Sequence, residues 1–194
     1  MKVYLAGPEV FLPDAVEVGR RKVAICEEHG LIGLFPLDLD APSAGPSTAA
    51  DIFQACVGAM RQADAIIANL SPFRGIGADP GTAFELGFVA ALGLPLFGYT
   101  NESRTLFDRV AADLAPFRQE GDQHFAADGL AVENFGRFDN LMLAEALLAK
   151  GPGVFMPEAI LPDPARDLTV FACCVGRAAE VLNGNARSSP DAAR

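Results

Sequence analysis

Apolar residues occur along the chain in two patterns, short continuous runs and repeats with helical spacing. Runs bounded by turn residues predict buried strands, and apolar positions three and four residues apart predict amphipathic helices. The runs predict strands at residues 3–6, 31–35, 65–70 and 95–99, and a strand or extended segment at 154–156. The helical repeats lie at residues 14–29, 51–62, 80–92, 104–114, 138–150 and 164–182. This alternation predicts βαβ units and therefore an α/β fold with a parallel sheet.

Three polar segments interrupt the alternation. Their polar composition predicts a loop at residues 36–50, an exposed excursion at residues 116–129 and a disordered tail at residues 184–194. The remaining length suits one domain over residues 1–183. In the first helix, Lys22 groups with charged neighbours and is predicted to face water.

Composition and charge exclude several classes of function. The 194 residues are 51% hydrophobic and carry a formal net charge of −10. We expect no nucleic-acid polymer and no membrane as a partner, because so acidic a surface repels phosphates and anionic lipid. The start, MKVYLAGPEV, lacks the features of a signal peptide, so a cytoplasmic location is expected.

Cysteines and histidines give no sign of a metal site. The four cysteines form no CxxC pair, and the two histidines are distant from them in sequence. Reduced cysteines in the core are therefore favoured over zinc ligation.

The segment NLSPFRGIGADPGTAFELGF carries the clearest chemical signal. It begins at the end of the third predicted strand, where open α/β sheets bind ligands. Asp79 precedes Pro80 and predicts the start of a helix. Glu85 is the only ionisable side chain between Gly81 and Gly98. Two interpretations of Glu85 stay open from the residues alone, a helix-dipole role and a chemical one.

Paired carboxylates beside a strand-end crevice suit glycosyl transfer. A carboxylate can stabilise an oxocarbenium-like centre or trap it as a covalent glycosyl-enzyme. Competing signatures are absent from the sequence, namely GxxxxGK[ST], GxSxG and HExxH. The stretch GIGADPG misses the dinucleotide-binding pattern GxGxxG by one position.

Three blocks of sequence match one family. They are VYLAGPEVF, NLSPFRGIGADPGTAFELGFVAALG and FGRFDNLML, and they span residues 3–143. The chain resembles the nucleoside 2-deoxyribosyltransferases, in particular the purine-leaning branch of bacteria and trypanosomatids. The resemblance implies a flavodoxin-like three-layer sandwich whose central parallel sheet has about five strands.

The same resemblance implies catalytic roles for three residues. Glu85 is the nucleophile that attacks C1′ of deoxyribose, with retention at C1′ after a second base attacks. Asp79 interacts with the base and manages its proton. Tyr4 hydrogen-bonds the carboxylate of Glu85.

Further residues are implied to bind substrate. Phe11 would lie against the base, and Gly7, Ser71 and Arg74 belong to the same strand-end loops. Asn140, with Met142 beside it, would complete the site of a neighbouring subunit. The substrates implied are small-molecule deoxynucleosides and free nucleobases, with no cofactor and no metal, in a homodimer or higher homo-oligomer.

One departure and two alternatives accompany the resemblance. Cys56 stands where pyrimidine-accepting members carry an aspartate, so base selectivity is expected to differ. One alternative function is an N-glycosidase that hydrolyses deoxynucleosides or their 5′-monophosphates with the same nucleophile. The other is a non-catalytic nucleotide-sensing module on this fold.

Overall fold

The fold is built on one five-stranded sheet. The computed structural model describes residues 1–39 and 47–188, with side chains through residue 184. The sheet strands are β1 (Lys2–Ala6), β2 (Ile32–Leu34), β3 (Ala65–Asn69), β4 (Leu96–Tyr99) and β8 (Val154–Phe155). All of their pairings are parallel, and their order is β2-β1-β3-β4-β8. This is the flavodoxin-like order, and the predicted α/β sandwich with about five parallel strands is confirmed.

The described residues form six α-helices, five of which cover the two faces of the sheet. They are α1 (Ala15–Glu28), α2 (Ala49–Gln62), α3 (Pro80–Ala91), α4 (Leu106–Asp113), α5 (Leu141–Lys150) and α6 (Thr169–Ser188). α1 and α6 pack on one face, and α2, α3 and α5 pack on the other. Parallel strands buried on both faces need apolar side chains at every position, which is why their sequences are continuous apolar runs.

The alternation of side chains along β1 divides the core into two layers. Val3 and Leu5 belong to the cluster under α1 and α6. Tyr4 and Ala6 belong to the cluster under α2, α3 and α5. Successive side chains of a strand point to opposite faces, so Tyr4 is directed towards α3.

The polar excursion contains structure that the sequence analysis left out. Strands β5 (Arg118–Glu120), β6 (Gln123–Phe125) and β7 (Ala131–Val132) form a small antiparallel sheet. The first two are joined through Gly121, whose φ of +60° suits a tight turn. Because these strands are short and mostly polar, they show no apolar alternation that would predict them.

Helix boundaries also differ near the C-terminus. α6 begins at Thr169 and not at residue 164, because residues 164–168 form an irregular segment that Asn101 holds by hydrogen bonds to the carbonyls of Pro164 and Asp167. The helix continues to Ser188, which is past the predicted domain boundary at residue 183. Residues 40–46 of the predicted loop at 36–50 lie outside the described residues, and α2 already begins at Ala49.

The topology creates a crevice beside β1. The chain passes from β1 to β2 on one side, and β3 lies on the other, so the strand order reverses at β1. Loops after the carboxyl ends of β1 and β3 diverge there, which leaves room for a ligand. Among the described residues, no helix is long and apolar enough to cross a membrane.

Candidate active site

Helix α3 presents Glu85 to the crevice. Asp79 caps the helix, since its Oδ2 accepts hydrogen bonds from the backbone N–H and the hydroxyl of Thr82, at 2.8 and 3.1 Å. Pro80 takes the first helical position, where its missing N–H costs nothing. Thr82 and Glu85 are three residues apart and therefore share one face of the helix.

Tyr4 holds the carboxylate of Glu85 across the core. The Tyr4 hydroxyl donates a hydrogen bond to Glu85 Oε1 at 2.5 Å, a length typical of a charge-assisted bond. Tyr4 is fully buried, and burial together with the nearby Glu85 raises the pKa of its phenol. The phenol is therefore protonated at neutral pH, and it orients one carboxylate oxygen while Oε2 remains for chemistry.

Burial controls the ionisation of Glu85. Desolvation raises the pKa of Glu85 from 4.5 to about 7, the Tyr4 hydrogen bond opposes this rise, and the negative charge of Asp79 adds to it. A carboxyl group with a pKa near 7 is populated in both forms at neutral pH. It is also a poorly solvated anion when ionised, which favours nucleophilic attack.

The cavity around Glu85 has a volume of about 460 Å³, within the range of small-molecule sites. We call it the Glu85 cavity. It is lined by Gly7, Val10, Phe11, Pro36, Leu37, Leu39, Ser47, Ile52, Ala55, Cys56, Asp79, Gly81, Thr82 and Glu85. The two carboxylates lie among mostly apolar walls.

Helix α2 supplies one wall of this cavity. Ile52, Ala55 and Cys56 line it, and their spacing of three and four residues places them on one face of the helix. α2 begins with a capping box at Thr48. The Thr48 side chain accepts a hydrogen bond from the backbone N–H of Asp51, and the Asp51 side chain accepts one from the backbone N–H of Thr48. Burial raises the pKa of the Cys56 thiol, and the nearby Glu85 adds to the rise. Cys56 therefore faces the cavity as a neutral thiol and not as an acceptor carboxylate.

The turn after β1 supplies the opposite wall. Gly7 and Phe11 line the cavity, and Phe11 lies in a short 3₁₀ helix, Pro8–Phe11. A Cβ at residue 7 would collide with the carboxylate of Glu9 and the side chain of Asn69, so only glycine fits. The ring of Phe11 is 56% exposed and stacks on Phe73 with 5.0 Å between centroids.

Ser71 and Arg74 lie away from the Glu85 cavity. The Ser71 hydroxyl donates to Asn69 Oδ1 at 2.6 Å and accepts from the backbone N–H of Asn101 at 2.9 Å. Ser71 lines a second cavity, which is distinct from the Glu85 cavity. Arg74 is exposed, has a φ of +52°, and places its guanidinium over the rings of Phe73 and Phe11.

Asn140 and Met142 do not line the Glu85 cavity of their own chain. Asn140 caps α5, accepting from the N–H of Met142 at 3.0 Å and donating to Glu133 Oε1 at 2.7 Å. Met142 is 71% exposed. Both side chains are therefore displayed on the surface near the start of α5.

A buried ionic cluster, which no sequence pattern predicted, lies behind Gly7. Glu9 Oε1 accepts from Lys22 Nζ at 2.8 Å, from Tyr99 at 2.7 Å and from Asn69 at 3.0 Å. Lys22 is fully buried, so the prediction that it faces water is wrong. Burial would raise the pKa of Glu9, but Lys22 and the other donors outweigh it and hold the pKa below its usual range. The signal available was a glutamate three residues after the end of a buried strand.

Metal ligation finds no support in the described part of the chain. No group of three or more His, Cys, Asp and Glu side chains is placed to hold an ion there.

Comparison with known proteins decides the family. The family model for nucleoside 2-deoxyribosyltransferase matches residues 3–142. The chain belongs to the nucleoside 2-deoxyribosyltransferase family. The matched residues include the turn after β1, the Asp79 cap and the Glu85 helix. Family membership supports nucleoside deoxyribosyl transfer or N-glycosidic cleavage as its chemistry.

Relatives of this deoxyribosyltransferase-family chain include proteins with and without an assigned activity. An uncharacterised protein of Schizosaccharomyces pombe is 36% identical over 155 residues, which are 72% of this chain and 74% of that protein. A solved 2-desoxiribosyltransferase from Leishmania mexicana is 37% identical, with a TM-score of 0.59 and coverage of 73% of this chain and 84% of its own. A conserved protein from Enterococcus faecalis V583 shares the fold at 21% identity, with a TM-score of 0.53 and coverage of 81% and 92%.

Removing the Tyr4 hydroxyl tests its effect on Glu85. In Tyr4→Phe the bond that lowers the pKa of Glu85 is lost, so the carboxylate should form only at higher pH. We expect the pH–rate profile for base exchange to move upward by about one unit, with the largest loss of rate below pH 7. Tyr99→Phe is the matched control, since Tyr99 bonds Glu9 and does not line the Glu85 cavity. An unmoved profile in Tyr4→Phe would contradict this role.

Proposed function

We propose that this protein transfers 2-deoxyribose between nucleobases through a covalent glycosyl-enzyme on Glu85, with retention at C1′. The observation that carries the proposal is a carboxylate held by a buried phenol inside an apolar cavity, beside a second carboxylate. A helix-dipole role would need none of these features. The family to which the chain belongs supports the same chemistry.

The first half-reaction forms a bond from Glu85 to the sugar. The Glu85 carboxylate attacks C1′ as the C1′–N bond to the leaving base breaks, and the bonding pair departs with the base. Positive character on the sugar is stabilised by the approaching anion. Tyr4 stays protonated and donates to the bonded carboxylate throughout. The product is an ester of deoxyribose with Glu85 and a free base.

The second half-reaction reverses the first with a different base. A ring nitrogen of the incoming base attacks C1′ and the carboxylate leaves, so two inversions give overall retention. Water competes with the base for this step. Apolar walls such as Phe11, Ile52 and Leu37 favour a stacked base over water in the cavity.

Asp79 is the group suited to the proton of the base. It is buried and lines the same cavity as Glu85, and its capping bonds from Thr82 use a single oxygen, Oδ2. A carboxyl group positioned in this way can give its proton to the leaving base in the first half-reaction and take one back from the attacking base in the second. The cap fixes the position of Asp79, so both functions can coexist.

Purines are the proposed bases. The sequence resembles the purine-leaning branch of the family, and a solved 2-desoxiribosyltransferase from Leishmania mexicana is 37% identical to this chain. The wall residue Cys56 is a neutral thiol and cannot accept hydrogen bonds as an aspartate would. A site without that acceptor favours apolar contact with a larger ring system.

A neighbouring subunit is proposed to complete the site. The exposed Asn140 amide is the group that would enter the partner's cavity and bind the sugar 5′-hydroxyl. Large apolar side chains are also exposed on α2, α3 and α5, at Phe53, Phe84, Met142 and Leu148. Exposed apolar surface of this kind is typical of protein interfaces, so we propose a homodimer or a higher homo-oligomer.

Mixing two inactive variants tests the shared site. Glu85→Ala and Asn140→Ala are each expected to be inactive, whereas co-refolded mixtures should recover roughly a quarter of wild-type activity. Half of the random dimers are mixed, and each holds one cavity with both an intact Glu85 and an intact partner Asn140. The check is the exchange rate of the mixture against each variant alone. Independent subunits would give no recovery.

A single incubation separates transfer from hydrolysis. With deoxyinosine and excess adenine, we expect deoxyadenosine and hypoxanthine in equal amounts, measured by chromatography. Accumulation of free deoxyribose and hypoxanthine without deoxyadenosine would favour the N-glycosidase instead. Binding of deoxyinosine without any product would favour a sensing module. Replacement of adenine by cytosine in a parallel incubation tests the purine preference.

A further inference from the structure

A buried ion pair joins helix α4 to the start of α5. Arg109 Nη2 donates to Asp139 Oδ2 at 3.3 Å, and the two residues are 3% and 4% exposed. Arg109 lies on α4, and Asp139 directly precedes Asn140, the residue that caps α5. Neither member of the pair lines the Glu85 cavity, so any effect on the chemistry there acts through other residues.

Asp139 also bonds two backbone N–H groups. Its Oδ2 accepts from the N–H of Ala78 at 2.9 Å, and its Oδ1 accepts from the N–H of Asn140 at 2.7 Å. Ala78 immediately precedes Asp79, whose side chain lines the Glu85 cavity. The buried carboxylate of Asp139 is therefore connected to Asp79 through one hydrogen bond and one residue of backbone.

Arg109 holds the same loop at a second point. Its Nε donates to the carbonyl of Ile76 at 2.8 Å, and its Nη1 donates to the carbonyl of Arg104 at 2.9 Å. A guanidinium can make these bonds together because its donors form a rigid planar fork. Residues 76 and 78 are thus held by the two members of one ion pair.

The loop before Asp79 depends on such bonds for its path. Residues 71–78, all within the described part of the chain, are irregular, and an isolated bridge joins Pro72 to Ala78. An irregular loop has no ladder of backbone hydrogen bonds, so bonds from side chains help to decide its course. The cap of α3 holds Asp79 from the helix side, and the ion pair holds the residues that lead into it.

Stability alone is a weak reason for this pair. Burial lowers the pKa of Arg109 and raises the pKa of Asp139, so desolvation opposes both charges, although each partner favours the charge of the other. Replacement of a buried ion pair by apolar side chains of similar volume is often neutral or stabilising. Apolar side chains could not supply the directed bonds to the backbone at Ile76 and Ala78.

We propose that Arg109 and Asp139 are positioning residues, which hold Asp79 where it can exchange a proton with the base. The inference rests on the proposed function, in which Asp79 gives a proton to the leaving base and takes one from the attacking base. The ion pair itself exchanges no proton and fixes only the backbone that carries Asp79. A displacement of about 1 Å at a reacting group can lower a rate about 10²-fold, so this support matters for the rate.

The double variant Arg109→Met, Asp139→Leu removes the directed bonds and fills the space with apolar side chains. Two substrates separate its effects. Deoxyinosine needs a proton as hypoxanthine leaves, whereas the base of 7-methyl-2′-deoxyguanosine is already positive and leaves as neutral 7-methylguanine. With protein in excess over substrate, we expect the ratio of hypoxanthine release to 7-methylguanine release to fall at least about tenfold relative to wild type. A displaced Asn140 would slow both releases and would cancel in this ratio.

A second variant and a matched control accompany the first. Arg109→Lys keeps the charge beside Asp139 but cannot reproduce the three directions of the guanidinium, so the ratio should fall in the same direction by a smaller factor. The control is Arg137→Met, Glu145→Leu, which removes an exposed ion pair of the same residue types, 2.6 Å long, near the start of α5. Its ratio should stay within about twofold of wild type.

The outcomes separate a positioning role from a structural one. A ratio that is unchanged in the double variant and in Arg109→Lys overturns the proposal, even if both releases are slower. Crystal structures of wild type and the variants supply a readout without activity: a shift of the Asp79 carboxylate relative to Glu85 supports the proposal, and an unmoved carboxylate overturns it. If wild type releases no hypoxanthine, the proposed function fails. In that case, or if 7-methylguanine is not released, the structures decide whether the pair positions Asp79.

Discussion

Replacement of Glu85 by alanine is expected to lower the rate of base exchange by at least about 10³-fold, because the group that forms the bond to C1′ is lost. Glu85→Gln should lose as much, although its amide keeps the shape of the side chain and can still accept from Tyr4. The measurement is the rate of deoxyadenosine formation from deoxyinosine and adenine, with substrate binding measured in parallel. Exchange that continues undiminished in either variant would exclude Glu85 as the nucleophile.

The covalent intermediate gives an independent readout of the same residue. Brief exposure of wild-type protein to a 2′-deoxy-2′-fluoro nucleoside should add one fluorodeoxyribosyl group per chain, detected by intact-protein mass spectrometry and located on Glu85 by fragmentation. Fluorine at C2′ destabilises positive character at C1′ and slows release of the sugar. The Glu85→Gln variant is the control and should remain unmodified. An adduct on another residue would contradict the assignment.

Glu85→Gln is also expected to stabilise the fold at alkaline pH. The pKa of Glu85 rises from 4.5 to about 7 on folding, so the folded state binds more protons than the unfolded state between these values. The contribution of Glu85 to stability is therefore present below pH 4.5 and is lost as pH rises through about 7. Relative to wild type, Glu85→Gln should gain up to about 3 kcal/mol at pH 8 and little at pH 4.5.

Urea unfolding of both proteins at the two pH values measures this difference. Glu17→Gln is the matched control, since Glu17 is exposed on α1 and pairs with Arg20 at 3.1 Å. Its effect should stay within about 0.5 kcal/mol at both pH values. A gain for Glu85→Gln that is equal at pH 4.5 and pH 8 would show that the pKa of Glu85 is not raised in the folded protein.

The raised pKa of Glu85 also means that the proposed nucleophile, when ionised, lowers the stability of the folded protein. Most of the lining of the Glu85 cavity is apolar, and a carboxylate there is destabilised by lost hydration. Tyr4 recovers part of that loss with one hydrogen bond, and no lysine or arginine lines the cavity among the described residues. An arginine beside Glu85 would stabilise the anion but would also weaken its attack on an electron-poor carbon. Activity and stability are therefore opposed at this position.

Lys22 shows where sequence patterns fail. It lies among charged residues on a helix that is otherwise amphipathic, and nothing within α1 distinguishes it from Arg20 and Arg21. Its partner Glu9 is 13 residues away, and Tyr99, which also bonds Glu9, is on β4. A buried ion pair is stable only when all of its partners meet, and that meeting depends on how α1 crosses the sheet.

Ser71 shows that sequence patterns also fail to group the residues of a binding site correctly. It lies close in sequence to Asp79 and Glu85, which is why the sequence grouped the three as one site. The loop after β3 turns between the two cavities, so Ser71 faces Asn101 while Asp79 faces Glu85. Ser71 and Asp79 are close in sequence but face different cavities. A loop has no fixed periodicity, so the sequence does not indicate in which direction its side chains point.

Local sequence patterns predicted the α/β class, four of the five sheet strands, and the helix that Asp79 caps and that carries Glu85, while residues 154–156 were left open between a strand and an extended segment. Those features depend on local patterns, namely apolar runs, helical spacing and an Asp-Pro cap, which are complete within about fifteen residues. The contact of Tyr4 with Glu85 was implied by the family resemblance and by no local pattern, whereas the pairing of Glu9 with Lys22 in the core and the division of two cavities by the turn after β1 are visible only in the tertiary structure. These contacts join residues from different elements, and their energies depend on burial, which no local pattern specifies.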